Sequence, residues 1–221
     1  MSTSTAEPIV KPKRESLFSK KNRTLLTDPL DANNPVTVQV LGICSALAVT
    51  VQMEPAFIMT IGLTFVTAFS NLFISLLRNT IPSRIRIIVQ LAVVATFVII
   101  VDQVLKAFFY DISLKLSVFV GLIITNCIVM GRLEAFAMAN KPWPSLMDGI
   151  GNGLGYGLIL MSVAFLRELF GSGSVFGFKV FEALSIPYTP NGMMMIPAGA
   201  AIIVGLLIWI QRARNGYRET E

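Results

Sequence analysis

Two cysteines, Cys44 and Cys127, are the residues whose type and placement could do chemistry, and no histidine accompanies them in the 221-residue chain. Each lies near the middle of a short apolar stretch, 40–49 and 122–131. A deprotonated thiol is a soft ligand suited to zinc or iron. Zinc and iron–sulfur sites normally take four protein ligands. Two thiolates are therefore half of a metal site, and a complete one needs two more from another subunit. The alternative is that both are small apolar residues packed in a core, where free cysteine is common. Their neighbours raise the metal reading beside the packing one: Gly42 and Ser45 lie beside one, and Thr125, Asn126 and Gly131 near the other. Small residues let backbones approach closely and allow a helix to break.

The other candidates carry less. Asp102, with Gln103 beside it, is the best candidate for a cation path through the protein. Glu54, Lys106, Glu134 and the adjacent Arg167 and Glu168 sit near the ends of apolar runs. Snorkelling or interfacial pairing accounts for most of them there. The glycine-rich stretch 149–157 invites a nucleotide-loop reading, but no register fits G-x-G-x-x-G and no strand precedes it. No flavin or NADH site is expected in this chain. Gly149, Gly153 and Gly157 instead recur every four residues, the close-packing pattern of membrane helices. Their face is expected to pack on another helix, with Gly153→Leu disturbing assembly of a complex.

The elements that must position the cysteines are membrane segments. The chain is 54% hydrophobic and 14% charged, with a mean hydropathy of +0.70. A soluble domain is nearer about 45–50% apolar and about 25% charged. Six apolar runs follow one another: 36–53, 55–77, about 85–106, 116–131, 149–166 and 193–211. A full helical span needs about 20 residues, so the first and fourth runs sit at the short end, and these hold the cysteines. A disulfide between them would have to form deep in the bilayer, where no purpose is evident. The net charge of +5 places its basic residues beside apolar runs, which argues for orientation in a lipid bilayer and against nucleic acid. Fourteen Lys and Arg fall on one side of the six runs and four on the other, which puts both termini in the cytoplasm. The polar start of the chain lacks the apolar core of a signal peptide.

The runs also hint at an internal repeat. Each half begins with a cysteine-centred segment, and the next segment ends alike, Phe73-Ile74-Ser75-Leu76-Leu77-Arg78 against Ser162-Val163-Ala164-Phe165-Leu166-Arg167. The cysteines are 83 positions apart and the arginines 89, so six extra loop residues are needed, and 141–145 is where they would fall. Three spans per half make the halves inverted, an architecture that places sites near the midplane on broken helices. Coincidence between apolar sequences is the competing account.

At these residues the sequence resembles the D-type membrane subunits of bacterial sodium-translocating NADH:quinone oxidoreductases (Nqr), in the family shared with the E subunits of the Rnf/Rsx complexes. The matching motifs are Asn34-Pro35 leading into Leu41-Gly42-Ile43-Cys44-Ser45-Ala46-Leu47-Ala48-Val49-Thr50, and Arg78-Asn79-Thr80-Ile81-Pro82-Ser83-Arg84-Ile85-Arg86. Val101-Asp102-Gln103-Val104-Leu105-Lys106-Ala107, Ile124-Thr125-Asn126-Cys127-Ile128-Val129-Met130-Gly131-Arg132 and Asp148-Gly149-Ile150-Gly151-Asn152-Gly153 continue them in order. The likeness covers about 33–211, and 45–48 and 101–106 look like the Nqr branch. The basic tail up to about Asp31 is longer than is usual in the family, and the match is loose in the sixth run.

The resemblance implies an all-α integral membrane protein of the bacterial inner membrane, with six transmembrane helices in two inverted three-helix repeats and interrupted first and fourth helices. It implies a translocase subunit, not catalytic alone, in a complex that oxidises NADH, reduces ubiquinone and exports Na⁺. Cys44 and Cys127 would hold half of an intramembrane iron centre, a [2Fe–2S] cluster. The homologous E subunit, of opposite topology, would supply the other two thiolates. Subunits A, B, C and F would complete the complex. An Rnf-type ferredoxin:NAD oxidoreductase subunit is the alternative within the family, and a small inverted-repeat solute transporter the alternative outside it. The expected organisation is a polar cytoplasmic tail over 1–34, a membrane domain over 35–212 with repeats at about 36–107 and 116–211, and a cytoplasmic tail over 213–221.

Overall fold

In the computed structural model, residues 20–30, 34–82, 84–108, 121–175, 178–179 and 192–214 are described. Helices account for nearly all of them. They are α1 (Lys20–Thr27), α2 (Ile43–Val49), α3 (Met53–Leu77), α4 (Arg86–Phe108), α5 (Cys127–Arg132), α6 (Pro142–Gly171) and α7 (Pro197–Arg214). A 3-10 turn, Asp28–Leu30, follows α1, and a π turn, Leu133–Ala137, continues α5. The short antiparallel pair β1 (Ser174–Val175) and β2 (Phe178–Lys179) is the only sheet among the described residues.

Helix α6 is the axis. Its 30 residues would extend about 45 Å at 1.5 Å per residue, well beyond the roughly 30 Å of bilayer hydrocarbon. Pro142 opens it, where a missing N–H is no loss and the fixed φ is already helical. It closes at Gly173, whose φ of 71° lets its N–H reach back to the Leu169 carbonyl at 3.1 Å. This corrects the reading of 149–166 as the span and of 141–145 as an inserted loop. Asp148 and Arg167 looked like the ends of an apolar run, but the protein pairs the first with Arg132 and hydrogen-bonds the second internally, and the helix runs straight through them.

Gly149, Gly153 and Gly157 face α3 of the same chain. A Cβ at Gly149 would lie 2.7 Å from the Ala68 Cα, one at Gly153 2.7 Å from the Thr64 Cα, and one at Gly157 would overlap the Thr60 methyl. Among lipid tails, where apolar surface alone does not drive helices together, this closeness is what binds α6 to α3. The Thr60, Thr64 and Thr67 hydroxyls on the facing stripe donate to Ala56, Thr60 and Leu63 carbonyls at 2.8, 2.7 and 2.7 Å, so none is left unbonded in the contact. Because the contact lies inside the chain, Gly153→Leu acts on the subunit's own fold before it acts on assembly. A second glycine face is filled by the start of the chain: Gly151 meets the Leu25 carbonyl, Gly155 meets that of Pro29, and Asn34 Nδ2 donates to the Gly155 carbonyl at 3.0 Å. The region read as a polar tail thus packs on α6 from at least Leu25; residues 1–19 lie outside the described ones.

Helix α4 is held at the rim. Phe97 packs on Phe69 and Phe73 of α3, and Gln90 Nε2 and Arg86 reach Glu134 at 3.1 and 2.5 Å. Gln90, Val94 and Val98 are buried, while Ile87, Ile88, Ile99, Ile100 and Val104 are exposed. A helix apolar all round suits a lipid or subunit-facing position. Among the described residues α3, α4 and α6 are long and apolar enough to cross a membrane. Helix α7 has 18 residues and ends in basic Arg212 and Arg214; it begins at Pro197, four residues later than the apolar run, because Gly192–Met194 forms a 3-10 turn.

Candidate functional site

Both cysteine stretches contain a break in the helical backbone. In the first, residues 36–42 are not helical, Val40 and Gly42 have positive φ of 58° and 77°, and the helix starts only at Ile43. In the second, residues 121–124 are helical, Thr125 turns, Asn126 is extended, and the helix restarts at Cys127. Residues 116–120 of that run lie outside the described ones.

The fold brings the two breaks together. A Cβ on Gly42 would come within 2.6 Å of the Ile128 Cδ1 and 3.2 Å of the Tyr156 ring, and one on Gly131 within 3.2 Å of Leu41. Side chains next to each cysteine are bonded to one another: Asn126 Nδ2 donates to Ser45 Oγ at 3.1 Å. Ser45 Oγ in turn donates to the Gly42 carbonyl at 2.9 Å and lies 2.9 Å from the Tyr156 hydroxyl. Asn126 Oδ1 accepts from the Ile128 N–H at 3.1 Å, capping α5. Ser45, Asn126 and Tyr156 are buried, whereas Cys44 and Cys127 are free thiols exposed at the surface of this chain. The polar groups thus form the floor and the thiols the outward face.

The far ends of these short helices are also tied down. Arg167 is only 2% exposed. Its guanidinium donates to the Leu47 carbonyl and Thr50 Oγ1 at 3.2 and 2.7 Å, and to the Met194 and Met195 carbonyls at 3.1 and 2.8 Å. Neighbouring Glu168 accepts from the Met53 N–H, the first of α3, at 2.7 Å. The α2–α3 junction therefore rests on two charged side chains of α6, and Arg167 also holds the entry to α7. In the other half Arg132, at the end of α5, makes a two-pronged ion pair with buried Asp148, one arm 2.9 Å, and Asn152 Nδ2 donates to the same carboxylate at 3.1 Å.

Asp102 lies apart from this cluster, on α4, with its carboxylate 2.6 Å from Lys106 one turn on. Sequence reasoning singled out the cysteines, Asp102 and the glycine stripe; it missed Tyr156, Arg167, Glu168 and the Arg132–Asp148 pair as parts of the site's support. Asn126 carried a signal, being a good helix-capping residue just before a cysteine inside an apolar run. Tyr156 lies 111 positions from Ser45 and carried none.

Chemically the arrangement offers two soft donors facing outward, with buried polar groups behind. Among the described residues no three His, Cys, Asp or Glu side chains are grouped to hold a metal ion. Comparison with known proteins gives a match over residues 22–208 to the family described as Rnf-Nqr subunit, membrane protein. The D subunit of the Na(+)-translocating NADH-quinone reductase of Shewanella halifaxensis (strain HAW-EB4) is 60% identical over 196 residues, 88% of this chain and 93% of that protein. The D subunits of the same reductase from Shewanella sp. (strain W3-18-1) and Photobacterium profundum are each 59% identical over the same shares.

Proposed function

This chain belongs to the Rnf-Nqr family of membrane subunits, and from that premise we propose that it is the D subunit of a sodium-translocating NADH:quinone reductase, active only within the complex. Cys44 and Cys127 contribute two thiolates to an intramembrane iron centre, a [2Fe–2S] cluster, and the homologous E subunit contributes the other two. When bound, such a cluster would supply one-electron transfer across the membrane within a complex that exports Na⁺. The observation that carries this reading is the pair of exposed thiols on adjoining helix breaks, bridged by Asn126 and Ser45.

The donor set fits the group. Thiolates suit iron, and apolar surroundings with hydrogen-bonding neighbours are what tune such centres. Gly42 lets the first break approach Ile128 and Tyr156, and the Asn126 cap holds Cys127 at the start of its helix. Exposure of both thiols leaves them open to a partner of matching arrangement.

The two halves are inverted repeats in this reading, with both termini cytoplasmic and the chain in the bacterial inner membrane. Cross-capping supports the repeat. Arg167, in the second half, bonds the end of α2 in the first; Arg78, its counterpart in the first half, donates at 2.8 Å to the Asn140 carbonyl just past the end of the α5 segment. Asp102, whose carboxylate lies 2.6 Å from Lys106, remains the proposed point on a cation path.

Cys44→Ala or Cys127→Ala in the intact complex tests the proposal. Each is expected to abolish the iron centre and quinone reduction together, while NADH oxidation at another subunit's flavin survives. Full quinone reduction with unchanged iron content in either variant would reduce the thiols to packing residues.

A further inference from the structure

Resting on that centre, we propose that Ser45, Asn126 and Tyr156 are positioning residues: one saturated hydrogen-bond unit that couples the two thiol-bearing turns and raises the reduction potential of the metal group they hold. The donor inventory leaves the unit a single arrangement. A carbonyl can only accept, so the one Ser45 proton goes to Gly42. The Tyr156 hydroxyl must then donate to Ser45 Oγ, and Asn126 Nδ2 donates to the same oxygen. Ser45 Oγ thereby gives one bond and takes two, its full capacity. Asn126 Oδ1 is committed to the Ile128 N–H.

Two donors thus converge on an oxygen one residue after Cys44, and one of those donors belongs to the residue before Cys127. Neither turn can shift without breaking a bond in a place that offers no water to replace it, since Tyr156 is fully buried and Asn126 and Ser45 nearly so. An unmade bond in such a place is costly, which keeps the unit in one state. The positive ends of both converging dipoles point toward the Cys44 turn. Fixed dipoles of that sense favour the more negative, reduced form of a neighbouring group, and hydrogen bonding around a metal's ligands is a known lever on its potential.

The test is redox titration of the iron–sulfur signal in the purified complex, followed by electron paramagnetic resonance with iron counted per complex. Tyr156→Phe is expected to keep the iron and lower the midpoint potential. Ser45→Ala, which removes the hub of both bonds and fits the same space, is expected to lower it further and carries the test if the tyrosine variant fails to assemble. Leu160→Val, one turn along α6 in the same packed core, loosens packing without touching a hydrogen bond. An unchanged potential in both Tyr156→Phe and Ser45→Ala, or an equal shift in Leu160→Val, would overturn the proposal and leave the centre itself standing. An iron–sulfur signal that persists in Cys44→Ala would instead remove the centre, and this inference with it.

Discussion

The break before Cys44 and the break before Cys127 do the same geometric job by opposite means. Before Cys127 the solution is local: Asn126, the residue at the break, caps the helix that follows with its own side chain. Before Cys44 no side chain caps the helix; the backbone passes through two left-handed conformations, one of them at a valine. A β-branched residue there is strained. Asn34 Oδ1 accepts from the Val36 and Thr37 N–H groups at the start of that strained segment, but the helix after it is held by distant groups on α6: Tyr156 through Ser45 at its start, Arg167 at its end, and Glu168 at the first turn of α3. One cysteine turn is built by its own sequence, and the other is largely borrowed from α6, with Asn126 adding one bond to Ser45. Changes on α6 should therefore act far more on the Cys44 side.

Arg167→Met breaks that dependence most severely. It removes the buried guanidinium that bonds the part-buried Leu47, Met194 and Met195 carbonyls, at roughly 1–3 kcal/mol for each group left unsatisfied. The subunit is expected to fail to accumulate in the membrane, read by immunodetection of the assembled complex. Arg78→Met removes the matching contact from a half-buried site, where Ser75 Oγ still donates to Asn140 at 2.6 Å. That variant is expected to assemble with a modest loss, about 1 kcal/mol. Equal effects of the two would mean the borrowed and the local break do not differ.

Gly42→Ala comes next. The left-handed φ disfavours any side chain by roughly 1–2 kcal/mol, and the new methyl would meet Ile128 at 2.6 Å. Because this residue touches both the second break and Tyr156, iron per complex should fall along with thermal stability of the detergent-purified complex. Normal iron at normal stability would show that the two turns need not meet.

The asymmetry also explains how much of the molecule could be read from its residues. Apolar runs located α3 and α4 to within about two residues, because their charges lie outside the runs or near their ends. The same rule failed on α6, where Asp148 and Arg167 are buried inside a continuous helix yet read as its ends. A charge stops an apolar run on paper; it stops a helix only when nothing inside the protein answers it. The Gly149–Gly153–Gly157 stripe was legible as a packing face, but which chain it packs on depends on how Thr60 and Thr64 are placed, and sequence period says nothing of that. Of the candidate site, the thiols and the Asn126 cap could be seen in the chain, since each acts over one or two residues. Tyr156 and Arg167 could not, because the partners that tie them to the Cys44 helix, Ser45, Leu47 and Thr50, lie over a hundred positions away.

Asn126→Ala should give the smallest effect and the sharpest one. Losing the cap costs about 1 kcal/mol, and the loss falls on α5 first, since the Ile128 N–H then has no acceptor. The Cys44 turn loses the Asn126 bond but keeps Tyr156 on Ser45 and Arg167 on Leu47. Hydrogen exchange in the purified complex should therefore quicken most at 127–132 and much less at 43–49. Asn126→Ser supplies a capping oxygen on a side chain too short to bridge to Ser45, so it should restore protection at 127–132 alone. If exchange at 43–49 quickened as much as at 127–132, the first break would be leaning on the second and not on α6, and the contrast between them would reverse.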